Sequence, residues 1–440
     1  MAGIFKAYDI RGIYGETLDE ETACKIGRAI AAFLRPSSVV VGRDMRPHSE
    51  PLFSALAKGL TESGVNVVDL GLCSTPMSYY ANFLLRAEAS VMITASHNPG
   101  EWNGFKICRA NAVPVSGATG IAEIERRVAE NDSLPPAAVP GTVSAYDIKR
   151  EYVKHFSAFA DVKRPLRVLC DYANSMGVYE GEVLKGALET VPLFDTLDGT
   201  FPNHEANPLK TDTLAAAQAA VRAGRFDFAA CFDGDADRVG FLDEKGEIIP
   251  MDMITALVAQ TLLAKNPGAH VFYDLRSSWA VKEAIVEAGG IPHQSRVGHA
   301  FIKSQMREVD AIFAGELSGH YYFKENSFAE SSSLAVLLVA NLLSQSDKPL
   351  SELIRPLRRY SDSGEINSEV ADTAAVFARL KAKYADAKQY ELDGLSVEYA
   401  DWWFNVRSSN TEPLVRLNLE ATTPEAMAAR RDEVLALIRA

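Results

Sequence analysis

Four short polar stretches carry the residue types that can do chemistry. The first, Thr94-Ala95-Ser96-His97-Asn98-Pro99, sets a hydroxyl in a turn-prone loop directly after the apolar run Ala89-Ser90-Val91-Met92-Ile93. A strand that ends by presenting Ser96 beside histidine, asparagine and proline can expose a nucleophile. The second, Asp233-Gly234-Asp235-Ala236-Asp237-Arg238, alternates carboxylates, so three hard oxygen ligands face one side of a tight loop and suit Mg²⁺. A calcium EF-hand fails as a reading, although Glu244 falls at its twelfth position. Arg238 stands where that loop needs glycine, and the flanks 226–232 and 239–242 read as a strand hairpin rather than helices. A solvated acidic turn is the bland alternative.

The third stretch is Gly315-Glu316-Leu317-Ser318-Gly319-His320, after apolar residues 311–314. A strand-like backbone aims Glu316, Ser318 and His320 the same way, a carboxylate, hydroxyl and imidazole suited to sugar hydroxyls. A structural turn fits the same residues equally well. The fourth is Arg407-Ser408-Ser409-Asn410-Thr411-Glu412-Pro413. Its arginine offers planar, bidentate recognition of phosphate, and the small polar residues add donors. A capped turn before a strand at 414–417 is the competing reading.

The elements between these loops alternate. Val39-Val40-Val41, a helix over 51–63 and a strand over 65–70 come first; a strand at 167–171 precedes a helix over 177–188. Strands at 226–232 and 270–274, with a helix after Ser278, continue the rhythm. Strands alternating with helices predict α/β layers around largely parallel sheets. Seams fall at 135–141, near Pro250 and at 361–364, and the segment beyond the last reads as a small α+β unit with a helix over 374–384. No sequence repeat is evident.

Composition narrows the class. At 440 residues the chain suggests roughly three or four domains. A net charge of −13 argues against nucleic acid or an anionic membrane as partner, and requires that cations gather locally if the substrate is an anion. The five cysteines form no CxxC pair, so a reduced compartment fits and a cysteine-built zinc site does not. The first residues lack signal-peptide architecture, and the longest apolar run, 334–343, is too short to span a bilayer. The expectation is a soluble cytoplasmic protein, monomer or weak dimer.

The four loops, in this order, resemble the α-D-phosphohexomutase superfamily, and most closely its bacterial phosphomannomutase/phosphoglucomutase branch. The resemblance runs from Ala7-Tyr8-Asp9-Ile10-Arg11-Gly12 to the Arg407 stretch. GELSGH and RSSNTEP are similar to the GEMSGH and R-x-SNT pattern of dual-specificity enzymes. One departure is Glu330-Ser331-Ser332, where relatives usually carry Asp-Ser-Gly or Asp-Asp-Gly. The resemblance implies four domains around a central cleft, with three similar α/β domains (1–145, 146–248 and 249–360) and a C-terminal α+β domain (361–440).

By position the resemblance implies a phosphoserine at Ser96, and Mg²⁺ held by Asp233, Asp235 and Asp237 with a phosphoryl oxygen on Ser96. It places Glu316, Ser318 and His320 on sugar hydroxyls and Arg407, Ser409, Asn410 and Thr411 on the non-reacting phosphate. Tyr8, Arg11, Lys106, Arg238 and His299 fall at active-site positions, and Arg276 stands where relatives often have lysine. The implied reaction interconverts a hexose 6-phosphate and its 1-phosphate, of mannose or glucose, through a hexose 1,6-bisphosphate. Lys106 and His299 are the candidates for acid/base work; His97 is not, because neighbours in an extended loop point apart. A phosphoglucosamine mutase, a metal-dependent phosphatase and a non-catalytic sugar-phosphate binder are the rival readings. A dehalogenase-type phosphatase would place threonine or valine where Asp237 stands two residues after Asp235.

Overall fold

The computed structural model describes residues 3–408 and 414–440. Four sheets follow one another along the chain. The first orders Ile10–Ile13, Trp102–Arg109, Ala89–Ile93, Ser38–Arg43, Asn66–Leu72 and Val143–Ala145, with Val113–Pro114 paired to Trp102–Arg109. Ser38–Arg43 runs parallel to both Asn66–Leu72 and Ala89–Ile93. Helices cover both faces, which is why Ser38–Arg43 reads as an unbroken apolar run rather than an alternating one. Helix Glu20–Leu34 starts where the Asp19 side chain accepts from Thr22 N, and Thr75–Leu84 where Ser74 accepts from Met77 N.

The second sheet orders Ile248–Ile249, Val239–Leu242, Phe228–Phe232, Arg167–Asp171 and Glu189–Leu193; the third orders Ile291–Ser295, His270–Asp274, Phe313–Gly315, Tyr321–Phe323 and Ala329–Glu330. The predicted hairpin around the aspartate loop is present, Phe228–Phe232 lying antiparallel to Val239–Leu242. The predicted helix at 177–188 is shorter, Gly177–Leu184, because the Lys185 backbone turns to extended angles. The apolar run 334–343 lies in helix Ser332–Ser344, buried along nearly its whole length against helices Gly177–Leu184 and Met251–Leu263. Among the described residues no helix is long and apolar enough to cross a membrane.

A common plan emerges that no sequence repeat revealed. In each of the first three sheets a parallel strand passes through a loop into an antiparallel partner: Ala89–Ile93 into Trp102–Arg109, Phe228–Phe232 into Val239–Leu242, Phe313–Gly315 into Tyr321–Phe323. The first three polar stretches occupy those three loops. The fourth sheet is antiparallel, ordered Ser361–Asp362, Leu414–Ala421, Trp402–Ser408, Leu395–Glu398 and Lys388–Tyr390, with Ile366–Glu369 also on Leu414–Ala421. Helices Thr373–Lys383 and Pro424–Arg439 complete this α+β unit.

One hydrophobic cluster runs continuously through the second and third sheets, from Val168 and Phe241 to Phe313 and Leu357. The fourth unit keeps its own core around Trp402, Phe404 and Val434. It meets the third sheet's helices through a polar contact: Glu420 accepts from Trp279 N at 3.0 Å and from Trp403 Nε1 at 2.9 Å. Burial pushes the Glu420 carboxyl up to about 7. A carboxyl raised in the native state binds its proton more tightly there than in the unfolded chain. The stability it contributes is therefore complete below about pH 4.3, its unfolded value, and is lost as pH rises through about 7. Glu420→Gln keeps the accepting oxygen and removes the charge. Its thermal midpoint is expected to exceed the parent's at pH 8, by the equivalent of roughly 3 kcal/mol, and to converge on it towards pH 5. A gap that does not change between pH 5 and 8 refutes this account.

Candidate active site

Ser96 sits in a left-handed backbone conformation, φ 53°, 1% exposed. The tight turn sends its Oγ across to the second sheet, where it donates to Asp233 Oδ2 at 3.0 Å. It also corrects the expectation for His97. The loop is not extended, and the His97 ring folds back until Nδ1 is 3.1 Å from Ser96 Oγ. Burial, reinforced by Arg238 and Arg11, holds His97 well below the usual histidine range, so the imidazole beside Ser96 is neutral.

The Ser96 loop hangs on a side chain that sequence reasoning missed. Arg46 is 2% exposed and spends its guanidinium on four main-chain carbonyls: Ser96 at 2.9 Å, Asn98 at 2.7 Å, Pro99 at 2.6 Å and Trp102 at 2.9 Å. Asp44 accepts from its Nε at 3.1 Å. The only signal in the sequence was a charged cluster, Arg43-Asp44-Met45-Arg46, at the end of a strand. On the other side Arg11 donates to Asn98 Oδ1 at 2.6 Å and to Asp9 at 2.8 Å.

Asp233, Asp235 and Asp237 are buried, and one carboxylate oxygen of each lies within 4.8 Å of the others. Lys106, on Trp102–Arg109 of the first sheet, reaches between two of them, 2.6 Å from Asp235 and 2.5 Å from Asp237. Thr75 donates to Asp235 at 2.5 Å. Among the described residues Asp233 has only Arg238, at 3.8 Å, as a cation beside it. Burial, and then the charges of Asp235 and Asp237, push Asp233 up to about 8. Among the described residues Asp235 Oδ1 has no hydrogen-bond donor, and Asp237 Oδ1 has only His320 Nε2 at 3.4 Å. Orphaned hard oxygens on clustered carboxylates fit a divalent cation.

The third loop is a turn, not the extended backbone expected. Gly319 N donates to Glu316 O at 3.0 Å, and Gly319 takes φ 83°. The turn still gathers the three side chains: Ser318 Oγ lies 2.8 Å and Glu316 Oε2 3.3 Å from His320 Nδ1. Tyr322 donates a short hydrogen bond to Glu316, and Gly298 N donates to it at 3.2 Å. Burial and Arg238 oppose protonation of His320, but Asp237 and Glu316 outweigh them and push it up to about 9. At neutral pH His320 is therefore a cation and a donor. Backbone pairing ties the second loop to the third, Val239 N donating to Gly319 O at 3.1 Å.

Arg276 is held by Asp274 at 2.7 Å. Arg407, on Trp402–Ser408, pairs with Glu365 at 2.5 Å, and Arg416 joins the same carboxylate at 3.1 Å. Ser409, Asn410 and Thr411 lie outside the described residues. His299 opens the helix His299–Glu308 with the Tyr8 ring edge-on at 5.5 Å, while the Tyr8 hydroxyl donates to Val297 O at 3.3 Å. Burial draws His299 below the usual histidine value.

These groups open on one cavity of about 680 Å³ that takes lining from all four sheets' units. Tyr8, Arg11, Lys106, Asp237, Arg238, Arg276, His299, Glu316, Ser318, His320 and Arg407 line it; Ser96, Asp233 and Asp235 lie just beneath its floor. Eight lysines and arginines face four carboxylates across the described lining, so a chain of net charge −13 does gather its cations at one place. Arg296 and Asp393 belong to it too, and neither stood in a motif.

Comparison with known proteins agrees with this architecture. Family models of phosphoglucomutase/phosphomannomutase match in order: α/β/α domain I over residues 2–135, domain II over 150–246, domain III over 250–360 and the C-terminal domain over 365–437. The chain belongs to the phosphoglucomutase/phosphomannomutase family. A phosphomannomutase of Salmonella montevideo is 41% identical over 449 residues, covering 99% of this chain and 98% of that protein. Phosphohexose mutases of Xanthomonas campestris pv. campestris are 40% identical over 444 residues, covering 99% of each chain. A crystal structure of a phosphoglucomutase/phosphomannomutase family protein from Burkholderia thailandensis superposes with a TM-score of 0.92 at 33% identity, over 99% of this chain and 96% of that one. The protein is a mutase, an intramolecular phosphotransferase acting on hexose phosphates.

The Arg46 clamp yields a test on this mutase. Lysine has three donors on a point charge and cannot reproduce a planar guanidinium shared among four carbonyls and Asp44. Arg46→Lys is expected to lower kcat about 100-fold by letting the Ser96 loop shift, with far-ultraviolet circular dichroism unchanged. Activity within twofold of the parent would show that the loop holds its shape without the clamp.

Proposed function

We propose that the enzyme interconverts the 6- and 1-phosphates of mannose and glucose through a phosphorylated Ser96 and a hexose 1,6-bisphosphate. One observation carries this reading. Ser96 Oγ lies 3.0 Å from Asp233, just beneath the floor of a cation-lined cavity large enough for a phosphorylated hexose. In this reading the phosphoryl group leaves Ser96 Oγ for the C1 hydroxyl of a hexose 6-phosphate, and that hydroxyl gives its proton to a base. The bisphosphate turns over in the cavity. Its 6-phosphoryl group then passes to Ser96 Oγ, the C6 oxygen regains a proton, and the 1-phosphate departs.

Asp233, Asp235 and Asp237 would hold Mg²⁺ together with an oxygen of the Ser96 phosphate. Bound there, the ion supplies charge neutralisation for the transferring group. The chain's own residues do the rest. Arg11 and Arg238 bracket the Ser96 loop and stabilise charge on equatorial phosphoryl oxygens. Glu316 accepts from sugar hydroxyls, while Ser318 and protonated His320 donate to them. Arg407 and Arg276, with Ser409, Asn410 and Thr411, take the phosphate that is not reacting, and Tyr8 closes the cavity against Val297.

The environments divide the two acid/base candidates. Lys106, wedged between two carboxylates, is held protonated: burial opposes the charge, but Asp235 and Asp237 raise its value above that of an ordinary lysine. It serves as a fixed cation. His299 is neutral, and its Nε2 has no hydrogen-bond partner among the described residues. That nitrogen is the group suited to take the hydroxyl proton and return it.

Incubation with glucose 1,6-bisphosphate labelled in its phosphate is expected to label the parent enzyme at Ser96. Ser96→Ala should lose the label and at least about 10³-fold in kcat/KM on mannose 1-phosphate and glucose 1-phosphate. Label retained in Ser96→Ala, or phosphate released without any isomer formed, defeats the reading.

A further inference from the structure

Behind His299 lies a buried pair of charges that the reaction as described does not use. Lys303 and Glu330 are both 0% exposed, with Lys303 Nζ 2.5 Å from Glu330 Oε2. His299 Nδ1 stands 3.6 Å from the other oxygen, Glu330 Oε1. His299 and Lys303 are four residues apart on the helix His299–Glu308, so they present themselves on one face to the same carboxylate. Glu330 is fixed from its own side. It pairs in register with Tyr322, its carbonyl accepts from Asn326 Nδ2 at 2.6 Å, and the next residue, Ser331, caps the helix Ser332–Ser344. On the far side Lys303 Nζ rests 3.9 Å from the Tyr79 ring centroid, closing the pocket to water.

A fully buried ion pair is a poor source of stability, because desolvation of both charges cancels most of their attraction. Apolar residues of similar volume would serve the core as well. The pair is better understood by what it faces: Glu330 Oε1 stands against His299 Nδ1, while Nε2 is buried without a hydrogen-bond partner among the described residues.

We propose that Glu330 is the positioning residue for His299, accepting the Nδ1–H so that the lone pair falls on Nε2, the ring nitrogen left without a partner, while Lys303 keeps Glu330 ionised. This rests on the assignment of His299 as the acid/base group. The division of labour follows from the charges. Burial opposes ionisation of Glu330, but Lys303 and then His299 hold it down to about 2, so it accepts a hydrogen bond without taking the proton. A ring held by its Nδ1–H has one tautomer and one orientation. The other groups facing His299 are the Tyr8 ring and Lys106, whose charge works against protonation. Asp237 and His320 approach Glu330 from the aspartate and sugar loops. Glu330 is thus the main group raising the proton affinity of His299 against burial and the neighbouring cations.

Substitution separates this role from simple packing. In Glu330→Gln, Lys303 claims the amide oxygen and the NH₂ turns to Nδ1, which forces the proton onto Nε2. Imidazole ¹⁵N spectra, with the His299 signals assigned by their loss in His299→Gln, are expected to show an Nδ1–H ring in the parent and an Nε2–H ring in the variant. kcat should fall roughly 10- to 100-fold with KM within twofold, and the acid limb of kcat/KM should move to lower pH. Glu330→Asp should recover part of kcat. Because Glu330→Gln leaves Lys303 buried and unpaired, Lys303→Met/Glu330→Gln supplies a neutral pocket, and the same loss of kcat is expected with the ring divided between tautomers. Parental tautomer and kcat in either Gln variant, or a loss confined to KM, overturns the proposal. Parental activity in His299→Gln overturns the acid/base assignment itself, and the tautomer spectra tell that failure from a failure of Glu330.

Discussion

Three carboxylates buried within 4.8 Å of one another are the arrangement on which the rest of this structure depends. Charges so placed repel strongly, and only fixed counter-charges make the loop tolerable. Lys106 comes from the first sheet, Arg238 from the loop itself, and His320 from the third sheet, so the aspartate loop draws three units of the fold towards one point. The same electrostatic demand explains His320, protonated between Asp237 and Glu316, and Asp233, pushed up to about 8 by burial and by the charges of Asp235 and Asp237. The excess of cations lies instead along the cavity lining, where lysines and arginines outnumber carboxylates. The carboxylates beneath anchor the innermost of these cations, so that they stand ready for an anionic substrate.

The repeated turn from parallel to antiparallel strand is how the fold delivers these groups. A loop at that point leaves the carboxyl end of a parallel strand, outside the sheet, where side chains are free of ladder pairing. Three sheets each place one such loop, and Arg407 reaches the cavity from the end of an antiparallel strand in the fourth. The Arg46 clamp shows what shape costs at these points. Ser96 takes a left-handed conformation that a serine does not favour, and a guanidinium satisfying four carbonyls holds the surrounding chain to it.

Much of this was legible in the sequence, and the failures have physical causes. The aspartate hairpin could be read because the carboxylate spacing and the short apolar, Phe-containing runs on either side agree locally. Family membership rested on four motifs in order, and the matches over the whole length bear it out. His97 was misjudged because one left-handed residue, Ser96, reverses the direction of its neighbour's side chain, and no local pattern signals that. The third loop gathers its side chains by a turn at Gly319 rather than by strand alternation, so the grouping held while its backbone did not. Arg46 was invisible because its partners are main-chain carbonyls some 50 residues away, which have no residue type to read.

The departure at Glu330-Ser331-Ser332 has a local account. Ser331 caps the helix it precedes, and Ser332 donates to Ala236 O at 2.7 Å, tying that helix to the aspartate loop. The segment therefore touches the second loop through Ser332 and His299 through Glu330. In the proposed reaction the C1 hydroxyl would lose a proton in one half and the C6 oxygen would regain one in the other, so both would meet the same nitrogen. Side chains on flexible stems could follow the sugar, but at an entropic cost on each pass. A ring fixed by a buried carboxylate would not follow; the substrate would have to come to it. Under that proposal the burden of reorientation falls on the hexose, whose hydroxyls and two phosphates the cavity would hold in either sense, while the catalytic groups stay still.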